Sequence, residues 1–232
     1  KTVVSYVRSP NTELTWLFGE EDAKAAAAGA LLFGEGKLLA FPVRSAKGGV
    51  AWATSPLVIL RAIRDGSLSR ISSEDLQKLG DPGDEKAYFN KEQLGLSNNG
   101  SAVLEDQPLN WKDDVPQSVT AAFEQIMGAD PFGALIAGRL IVVSDGTLSF
   151  LTTTACEVAQ HVHINDATGT ASSGALFNQE NVPAETLFYS VLNVPSRVGQ
   201  KKQPAQAISA LSTKIAEANS ILQFGGDASS GL

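Results

Sequence analysis

Residues 41–58 read FPVRSAKGGVAWATSPLV and combine two strand-like runs with a polar connection and the start of a helix. The apolar and branched residues of 37–43 and 50–54 are typical of strands. The connection over 44–49 carries two cations, a serine and two glycines, and Pro56 stands where the first turn of a helix tolerates proline. We therefore expect two strands, followed by a helix over 57–64.

Strand and helix patterns continue on both sides of this region. A helix within 13–30 that ends at Gly29, and a short strand over 30–33, precede it. After it, further strands are expected over 102–109, 135–143, 158–164, 175–179 and 186–194, and further helices over 115–127 and 205–222. The polar segment 65–99 is interpreted as a surface insertion into a single domain over 1–232.

The composition excludes several classes of protein. With 25 acidic and 18 basic side chains, a formal charge of −7 and 43% apolar residues, the 232-residue chain is globular rather than disordered. No apolar run approaches the roughly 20 residues that cross a bilayer, so we expect a cytoplasmic protein with no membrane partner. The acidic balance counts against general nucleic-acid binding, but it leaves room for a local cationic groove.

Residues suited to catalysis or metal binding are sparse. Cys156 is the only cysteine, which excludes an intrachain disulfide and a multi-cysteine metal site and fits a reducing cytoplasm. We expect it to be a buried small apolar residue. His161 and His163 share one face of a predicted strand, but no neighbour in the sequence completes a metal site. A structural or surface role is therefore expected for both.

Two loops could contact phosphate groups. The connection 44–49 suits a phosphate backbone, although its residue types fit a solvated turn equally well. The glycine-rich ending 225–231 lacks the lysine of a phosphate-binding loop, and on its residues alone it is interpreted as a turn.

Several strings occur in the order and spacing of a known family. They are WLFG at 16–19, AGALLF at 28–33, the 41–58 stretch, LIVVSD at 140–145, GALF at 174–177, VPAETLFYS at 182–190 and FGGD at 224–227. Together they resemble the repeated backbone subunit of the type III-B CRISPR effector, the Cmr complex, within the repeat-associated mysterious protein (RAMP) superfamily. The FPVRS and PAETLFYS strings are specific, whereas the glycine-rich ending is shared across the superfamily. The likeness covers nearly the whole chain except 65–99.

This resemblance implies a fold and a role. The fold would be an α+β, ferredoxin-like and RRM-like RAMP palm with a protruding thumb hairpin and, at 65–99, an inserted polar segment. Copies would stack head to tail along the guide crRNA, hold it through its phosphates and interrupt guide–target pairing with each thumb. The implied partners are crRNA, target RNA, further copies of the chain and other Cmr subunits.

The resemblance also implies target RNA cutting beside each thumb with a divalent cation, Mg²⁺ or Mn²⁺, and an aspartate in a loop near the family's start. We expect that loop to precede Lys1, so the catalytic residues are unknown. Residue-by-residue transfer of the family pattern predicts RNA contacts at Lys1, Arg44, Ser45, Lys47, Thr168, Thr170, Ser172, Ser173, Gly225 and Gly226. The hydroxyls among them would bond phosphate or 2′-hydroxyl groups.

Three alternatives stay open at the level of sequence. The first is the related type III-A backbone subunit, against which the PAETLFYS string argues. The second is a stand-alone endoribonuclease that uses Asp145, Asp166 or Asp227, although turn aspartates usually bond their own backbone. The third is a structural interaction module without RNA contact, which only the acidic balance favours.

Overall fold

The structure, a computed structural model, describes residues 15–19, 29–96, 100–128, 130–165, 168–195 and 204–217. These residues divide into two compact units, one made of 37–189 and the other of the described parts of 1–36 and 190–232. The expectation of a single domain over 1–232 stays a prediction.

The described strands are β1 (Leu32–Phe33), β2 (Lys37–Ser45), β3 (Gly49–Thr54), β4 (Lys86–Phe89), β5 (Ala102–Leu104), β6 (Gln107–Asp113), β7 (Leu140–Val142), β8 (Glu157–Asn165), β9 (Thr170–Asn181), β10 (Leu187–Tyr189) and β11 (Leu192–Asn193). The described helices are α1 (Thr15–Phe18), α2 (Pro56–Arg64), α3 (Ser73–Lys78), α4 (Lys91–Leu94), α5 (Gln117–Ile126), α6 (Pro131–Gly138), α7 (Asp145–Thr154) and α8 (Pro204–Glu217).

The 37–189 unit is built on a seven-stranded mixed sheet in the order β10-β2-β3-β7-β4-β6-β5. Strand β5 also returns to β2, where Ser45 pairs with Leu104. Two backbone hydrogen bonds, from Ala46 to Val103 and from Glu105 to Arg44, extend this contact. Six of the strands therefore close into a ring that begins and ends at the carboxyl end of β2.

Side chains alternate between the two faces of the sheet, as the period of a strand requires. Leu140 and Val142 of β7 pack toward helices α2, α5 and α6, whereas Ile141 packs toward α4 and α7. Because helices cover both faces, strands such as β7 are apolar at every position. The predicted helices over 57–64 and 115–127 are confirmed as α2 and α5.

The two most specific strings of the sequence lie next to each other in the sheet. Strand β10, from the PAETLFYS string, pairs antiparallel with β2 of the FPVRS string. The indole Nε1 of Trp52 in β3 also donates a hydrogen bond of 3.2 Å to the carbonyl oxygen of Glu185.

The interpretation of 65–99 as a surface insertion is wrong for its second half. Strand β4 lies inside the sheet, antiparallel to β7 and parallel to β6. Ala87, Phe89 and, in α4, Leu94 are fully buried. The short apolar run of β4 was obscured by the polar residues that flank it on both sides.

The apolar run 135–143 is a helix followed by a strand, not one strand. Asp130 caps α6 by accepting a hydrogen bond of 2.9 Å from the backbone N–H of Phe132, and Pro131 occupies the first turn. Helix α6 then ends at Gly138, and only Leu140–Val142 forms a strand.

Three further expectations need correction. The predicted strand 102–109 turns back on itself at Glu105 and Asp106 and becomes the β5–β6 hairpin, with Glu105 at a φ of 54°. The predicted strand 186–194 is two short strands, β10 and β11. Asp145, expected in a turn, begins helix α7, where the Ser144 hydroxyl accepts a hydrogen bond of 3.0 Å from the N–H of Thr147.

Strands β8 and β9 form a long hairpin that, in the described structure, pairs with no strand of the seven-stranded sheet. Its apolar side chains are about half or more exposed at Val158, Val162, Ile164, Leu176 and Phe177. The ring of His161 stacks on that of Phe177 with centroids 5.2 Å apart. Both strands are longer than the predicted 158–164 and 175–179, because β8 extends to Asn165 and β9 begins at Thr170.

The second unit pairs β1 with β11 and packs α1 against α8. Leu17, Ala30 and Leu31 form its core together with Ala207 and Leu211 of α8. The predicted helix 205–222 is confirmed over its described part, although its apolar residue Ile208 is exposed. Of the helix predicted within 13–30, the structure describes Thr15–Phe18 as helical.

Candidate nucleic-acid interface

The turn between β2 and β3 presents three of the predicted RNA-binding residues. Arg44 and Ser45 end β2, Lys47 lies in the turn, and Gly48 and Gly49 follow with φ angles of 84° and 83°. Such angles favour glycine, so the turn is fixed by residues that lack a Cβ. The polar connection predicted between the two strands is a tight hairpin turn.

The guanidinium of Arg44 is paired with the carboxylate of Glu105. Its Nε donates a hydrogen bond of 2.9 Å to Oε2, and Nη2 donates to the same oxygen. The backbone N–H of Arg44 donates to Oε1 at 3.2 Å. The Arg44 side chain is 85% exposed and that of Glu105 only 19%, so a largely buried carboxylate binds a guanidinium that is exposed to solvent. The hydrogen bond and charge of Glu105 raise the pKa of Arg44.

Carboxylates dominate the surface on this side of the turn. Two grooves of about 520 and 580 Å³ meet at Arg44 and Glu105. Their walls also carry Asp106, Glu157 and Glu185. A phosphate that approached Arg44 would therefore meet a guanidinium whose charge is compensated by Glu105, in a groove with further carboxylates.

Cys156 lies in the wall of the 520 Å³ groove and is partly exposed, so the expectation of a buried residue is wrong. Its thiol donates a hydrogen bond of 3.3 Å to the carbonyl oxygen of Thr152. Desolvation and the nearby Glu180 carboxylate raise the pKa of the thiol, which keeps it protonated and a poor nucleophile.

The other side of the turn is cationic. Lys47 Nζ donates a hydrogen bond of 2.9 Å to the carbonyl oxygen of Gly95, which caps α4. Arg139 Nη1 donates to the carbonyl oxygen of Gly48. Lys91, in the first turn of α4, holds its Nζ 4.8 Å from the ring centroid of Trp111. Within the described residues, none of these three cations forms an ion pair.

Sequence reasoning missed Lys91 and Arg139. Lys91 falls in the segment interpreted as an insertion, and Arg139 falls inside the run interpreted as a strand. Only the pairing of β7 with β3 brings Arg139 beside the turn. Leu140, the next residue, is the register partner of Trp52, whose backbone N–H donates to the carbonyl oxygen of Arg139 at 3.1 Å. No local pattern in the sequence contains this long-range pairing.

Ser45 is buried, unlike Arg44, Lys47, Thr168 and Thr170. Its residue is 8% exposed, and its hydroxyl oxygen makes no hydrogen bond with the described residues. Its predicted contact with RNA therefore has no exposed hydroxyl to support it in this structure and stays a prediction.

The predicted hydroxyl residues of 168–173 lie at the far end of the β8–β9 hairpin. Thr168 and Thr170 share a hydrogen bond of 2.9 Å between their Oγ1 atoms, and Gly169 between them has a φ of 65°. Eight residue steps along β8 separate this tip from the base at Glu157, about 26 Å at 3.3 Å per residue. The structure therefore places Thr168 and Thr170 apart from Arg44 and Lys47. Ser172 and Ser173 belong to β9, and their side chains lie outside the described part.

The remaining candidates are placed only in part. Lys1, Asp166, Asp227, Gly225 and Gly226 lie outside the described residues. Asp145 begins α7, where its Oδ1 accepts a hydrogen bond of 3.3 Å from the N–H of Leu57. In the part of the chain that the structure describes, no three His, Cys, Asp or Glu side chains are grouped as a metal site.

Comparison with known proteins gives the family context. No protein-family model matches the sequence. Over 187 residues the chain is 34% identical to the CRISPR system Cmr endoribonuclease Cmr4 of Pyrococcus furiosus, an alignment that covers 78% of this chain and 61% of that protein. The chain is a relative of Cmr4. It spans less than two thirds of the length of this curated Cmr4.

Solved structures agree with the Cmr4 relationship. The crystal structure of oligomeric Cmr4 from Pyrococcus furiosus matches with a TM-score of 0.62 and 26% identity, over 87% of this chain and 69% of that one. The apo state of the type III-B Cmr-beta complex matches in fold, with a TM-score of 0.56 and 17% identity, over 87% and 67%. The expected α+β RAMP palm is confirmed by these matches. Among the described helices, none is long and apolar enough to span a membrane.

Proposed function

We propose that this Cmr4 relative is a guide-RNA-binding backbone subunit of a type III-B CRISPR effector. The observation that carries the proposal is its 34% identity to Cmr4, which extends over 78% of the chain. Its partners would be crRNA, target RNA, further copies of itself and other Cmr subunits, acting in the cytoplasm.

The β8–β9 hairpin supports this role. Its apolar side chains are exposed on two strands that lie outside the sheet, which is unusual for an isolated globular protein. A hairpin of about 26 Å is long enough to reach over a bound strand of RNA from the palm. We assign it the part of the thumb that separates guide from target at intervals.

The distribution of charge also supports the proposal. The chain has a formal charge of −7, yet Lys47, Lys91 and Arg139 form a cationic surface without ion pairs among the described residues. A subunit that repeats along RNA needs only a narrow cationic track, because each copy covers a few nucleotides. Single copies should bind weakly, and contiguous copies should bind far more tightly through avidity.

Target cutting is a separate part of the proposal. The relative's name includes endoribonuclease, and cutting by the assembled complex would use a divalent cation, Mg²⁺ or Mn²⁺. Among the described residues no three His, Cys, Asp or Glu side chains are grouped, so no site for such an ion is assigned there. We therefore derive no cutting step and assign no catalytic residue in this chain.

The proposal is tested by titrating a fluorescently labelled single-stranded guide RNA with the purified chain at two salt concentrations and weighing the products by mass photometry. We expect salt-sensitive, cooperative binding and a ladder of masses spaced by one subunit on RNA. Absence of binding at low salt, or equal affinity for double-stranded DNA of the same length, would contradict the proposal.

A further inference from the structure

We propose that Lys47, Lys91 and Arg139 together form a binding site for the phosphate groups of single-stranded RNA, at the turn between β2 and β3. This inference rests on the proposed function and specifies which surface holds the RNA strand. Two of its three residues, Lys91 and Arg139, have no counterpart among the residues expected from the sequence.

The three residues come from separate segments that meet at or beside the turn. Lys47 reaches from the turn to the carbonyl oxygen of Gly95 at 2.9 Å. Arg139 donates to the carbonyl oxygen of Gly48. Its guanidinium lies so close to Gly48 that a Cβ at this glycine would be 3.4 Å from the Nε of Arg139. A Cβ on Gly95 would lie 3.1 Å from Cγ of Lys91. The turn thus contacts Arg139 directly and, through Gly95, the stem of Lys91.

Each cation is fixed in place by an uncharged partner. Carbonyl oxygens anchor Lys47 and Arg139, and the face of Trp111 lies under the ammonium of Lys91. Such contacts restrict the side chains but leave their full positive charge. Lys47 keeps two further N–H donors beyond its bond to Gly95. The site therefore offers charge and donors that are ordered in advance, which lowers the entropic cost of binding.

The contrast with Arg44 decides which side of the turn attracts phosphate. Arg44 is paired with Glu105 and stands beside Asp106, Glu157 and Glu185. Lys47, two residues further along the turn from Ser45, has no carboxylate partner among the described residues. An incoming phosphate would be repelled on the first side and attracted on the second.

The test measures binding of a 5′-labelled single-stranded RNA by fluorescence anisotropy over a range of salt concentrations, using the full chain. The test variants are the single changes Lys47→Gln, Lys91→Gln and Arg139→Gln and their triple combination. Lys112→Gln is the matched control, since Lys112 also bonds a carbonyl oxygen, that of Asp81 at 3.1 Å, and also lies 4.8 Å from a ring centroid, that of Tyr88. Lys112→Gln removes one positive charge from a lysine that has the same kinds of contact, a carbonyl oxygen and an aromatic ring, elsewhere on the sheet.

Each phosphate contact contributes about 0.7 to the slope of log affinity against log salt for a single strand. We expect the slope of the triple variant to be smaller by about 2, because three phosphate contacts are lost, and its affinity to be at least tenfold lower. Lys112→Gln should change neither the slope nor the affinity. Arg139→Lys should retain most of the affinity, because it keeps the charge; this separates electrostatic binding from a purely structural role of the guanidinium. Circular dichroism and thermal unfolding verify that each variant is folded.

The outcomes are distinct. If the unmodified chain binds RNA and the triple variant binds with the same slope, the phosphate site is wrong while the proposed function stands. A loss of equal size in Lys112→Gln would also overturn the site, because only net charge would then matter. If the unmodified chain does not bind RNA at low salt, the proposed function and this inference fail together.

Discussion

The hydroxyl of Tyr189 donates a hydrogen bond of 3.0 Å to Oδ2 of Asp65, 124 residues earlier in the chain. The same carboxylate accepts from Lys37 Nζ at 2.6 Å and from Arg64 Nε at 3.2 Å. Asp65 also ends helix α2, so its carboxylate joins the start of β2, the end of α2 and strand β10. The Lys37 ammonium is the main cause that lowers the pKa of Asp65 to about 2, with the hydrogen bonds from Tyr189 and Arg64 adding to it.

This relationship predicts a pH-dependent contribution to stability. An aspartate whose pKa is lower in the folded chain than the usual value near 3.9 stabilises the fold when ionised. That stability is fully present above about pH 4 and is lost as the pH falls toward about 2. We expect Asp65→Asn to be less stable than the unmodified chain at neutral pH in urea unfolding, and the difference to shrink over this window.

Two tyrosine variants provide the control. Tyr189→Phe removes the bond to Asp65, and Tyr88→Phe removes a bond of 3.0 Å to the uncharged carbonyl of Lys78. Each should cost about 1 kcal/mol at neutral pH. Only the Tyr189→Phe cost should decline as Asp65 is protonated, so parallel pH curves for the two variants would contradict this explanation.

The burial of β4 predicts that a residue from the polar segment is essential to the core. Phe89 is fully buried between neighbouring strands, so Phe89→Ala should destabilise the chain by about 3–5 kcal/mol. Leu60→Ala on α2 is the control, because Leu60 is 52% exposed and its replacement should change stability by less than about 0.5 kcal/mol. Chemical unfolding of the two variants measures both effects, and equal stabilities would be incompatible with an internal β4.

The elements that the sequence predicts correctly are those with a local cause. The turn glycines of β2–β3 and the helical spacing after Pro56 act within a few residues, and β2, β3 and α2 follow the prediction. The errors arise where a long-range contact decides the outcome. Strand β4 contains only three consecutive apolar or aromatic residues, and its place in the sheet depends on pairing with β6 and β7. Composition over a 35-residue window conceals so short a run.

The candidate site shows the same limit. The residue types of 44–49 predict cations near a strand turn, and the structure places Arg44 and Lys47 there. The sequence does not reveal that Glu105, 61 residues away, neutralises the first of them. It also does not reveal that Arg139 and Lys91 join the second, because both come to the turn through pairing of distant strands and packing of α4.

The capping of α7 predicts a local effect on stability. The Ser144 hydroxyl accepts from the N–H of Thr147 and donates to a carboxylate oxygen of Asp84, and the residue is buried. Ser144→Ala should cost about 1–2 kcal/mol, because it removes the helix cap and leaves the Asp84 carboxylate without this donor. Ser149→Ala, at an exposed position of the same helix, should change stability little. Thermal unfolding of both variants decides the matter, and equal midpoints would argue against the cap.

The pairing of Arg44 with Glu105 predicts that removing an acidic charge strengthens RNA binding. Glu105→Gln keeps an oxygen that can accept from Arg44 but removes the charge that neutralises it. Because exposed ion pairs contribute little, the affinity for single-stranded RNA should rise only about two- to fivefold at low salt. Anisotropy titrations at low and high salt measure the gain, which should fall as salt screens the released guanidinium.

Two comparisons establish that this gain acts through Arg44. Asp106→Asn removes an equal charge from the neighbouring turn position, which lines the same groove without bonding Arg44, and it should give a smaller increase in affinity. In the Glu105→Gln background, Arg44→Gln should cancel the gain, because no guanidinium then remains to be released. If Glu105→Gln leaves the affinity unchanged, or if its gain persists without Arg44, the carboxylate does not control the access of RNA to this cation. A lowered affinity in Glu105→Gln would instead mean that the carboxylate positions the guanidinium for phosphate, since an oriented donor would be lost together with the negative charge.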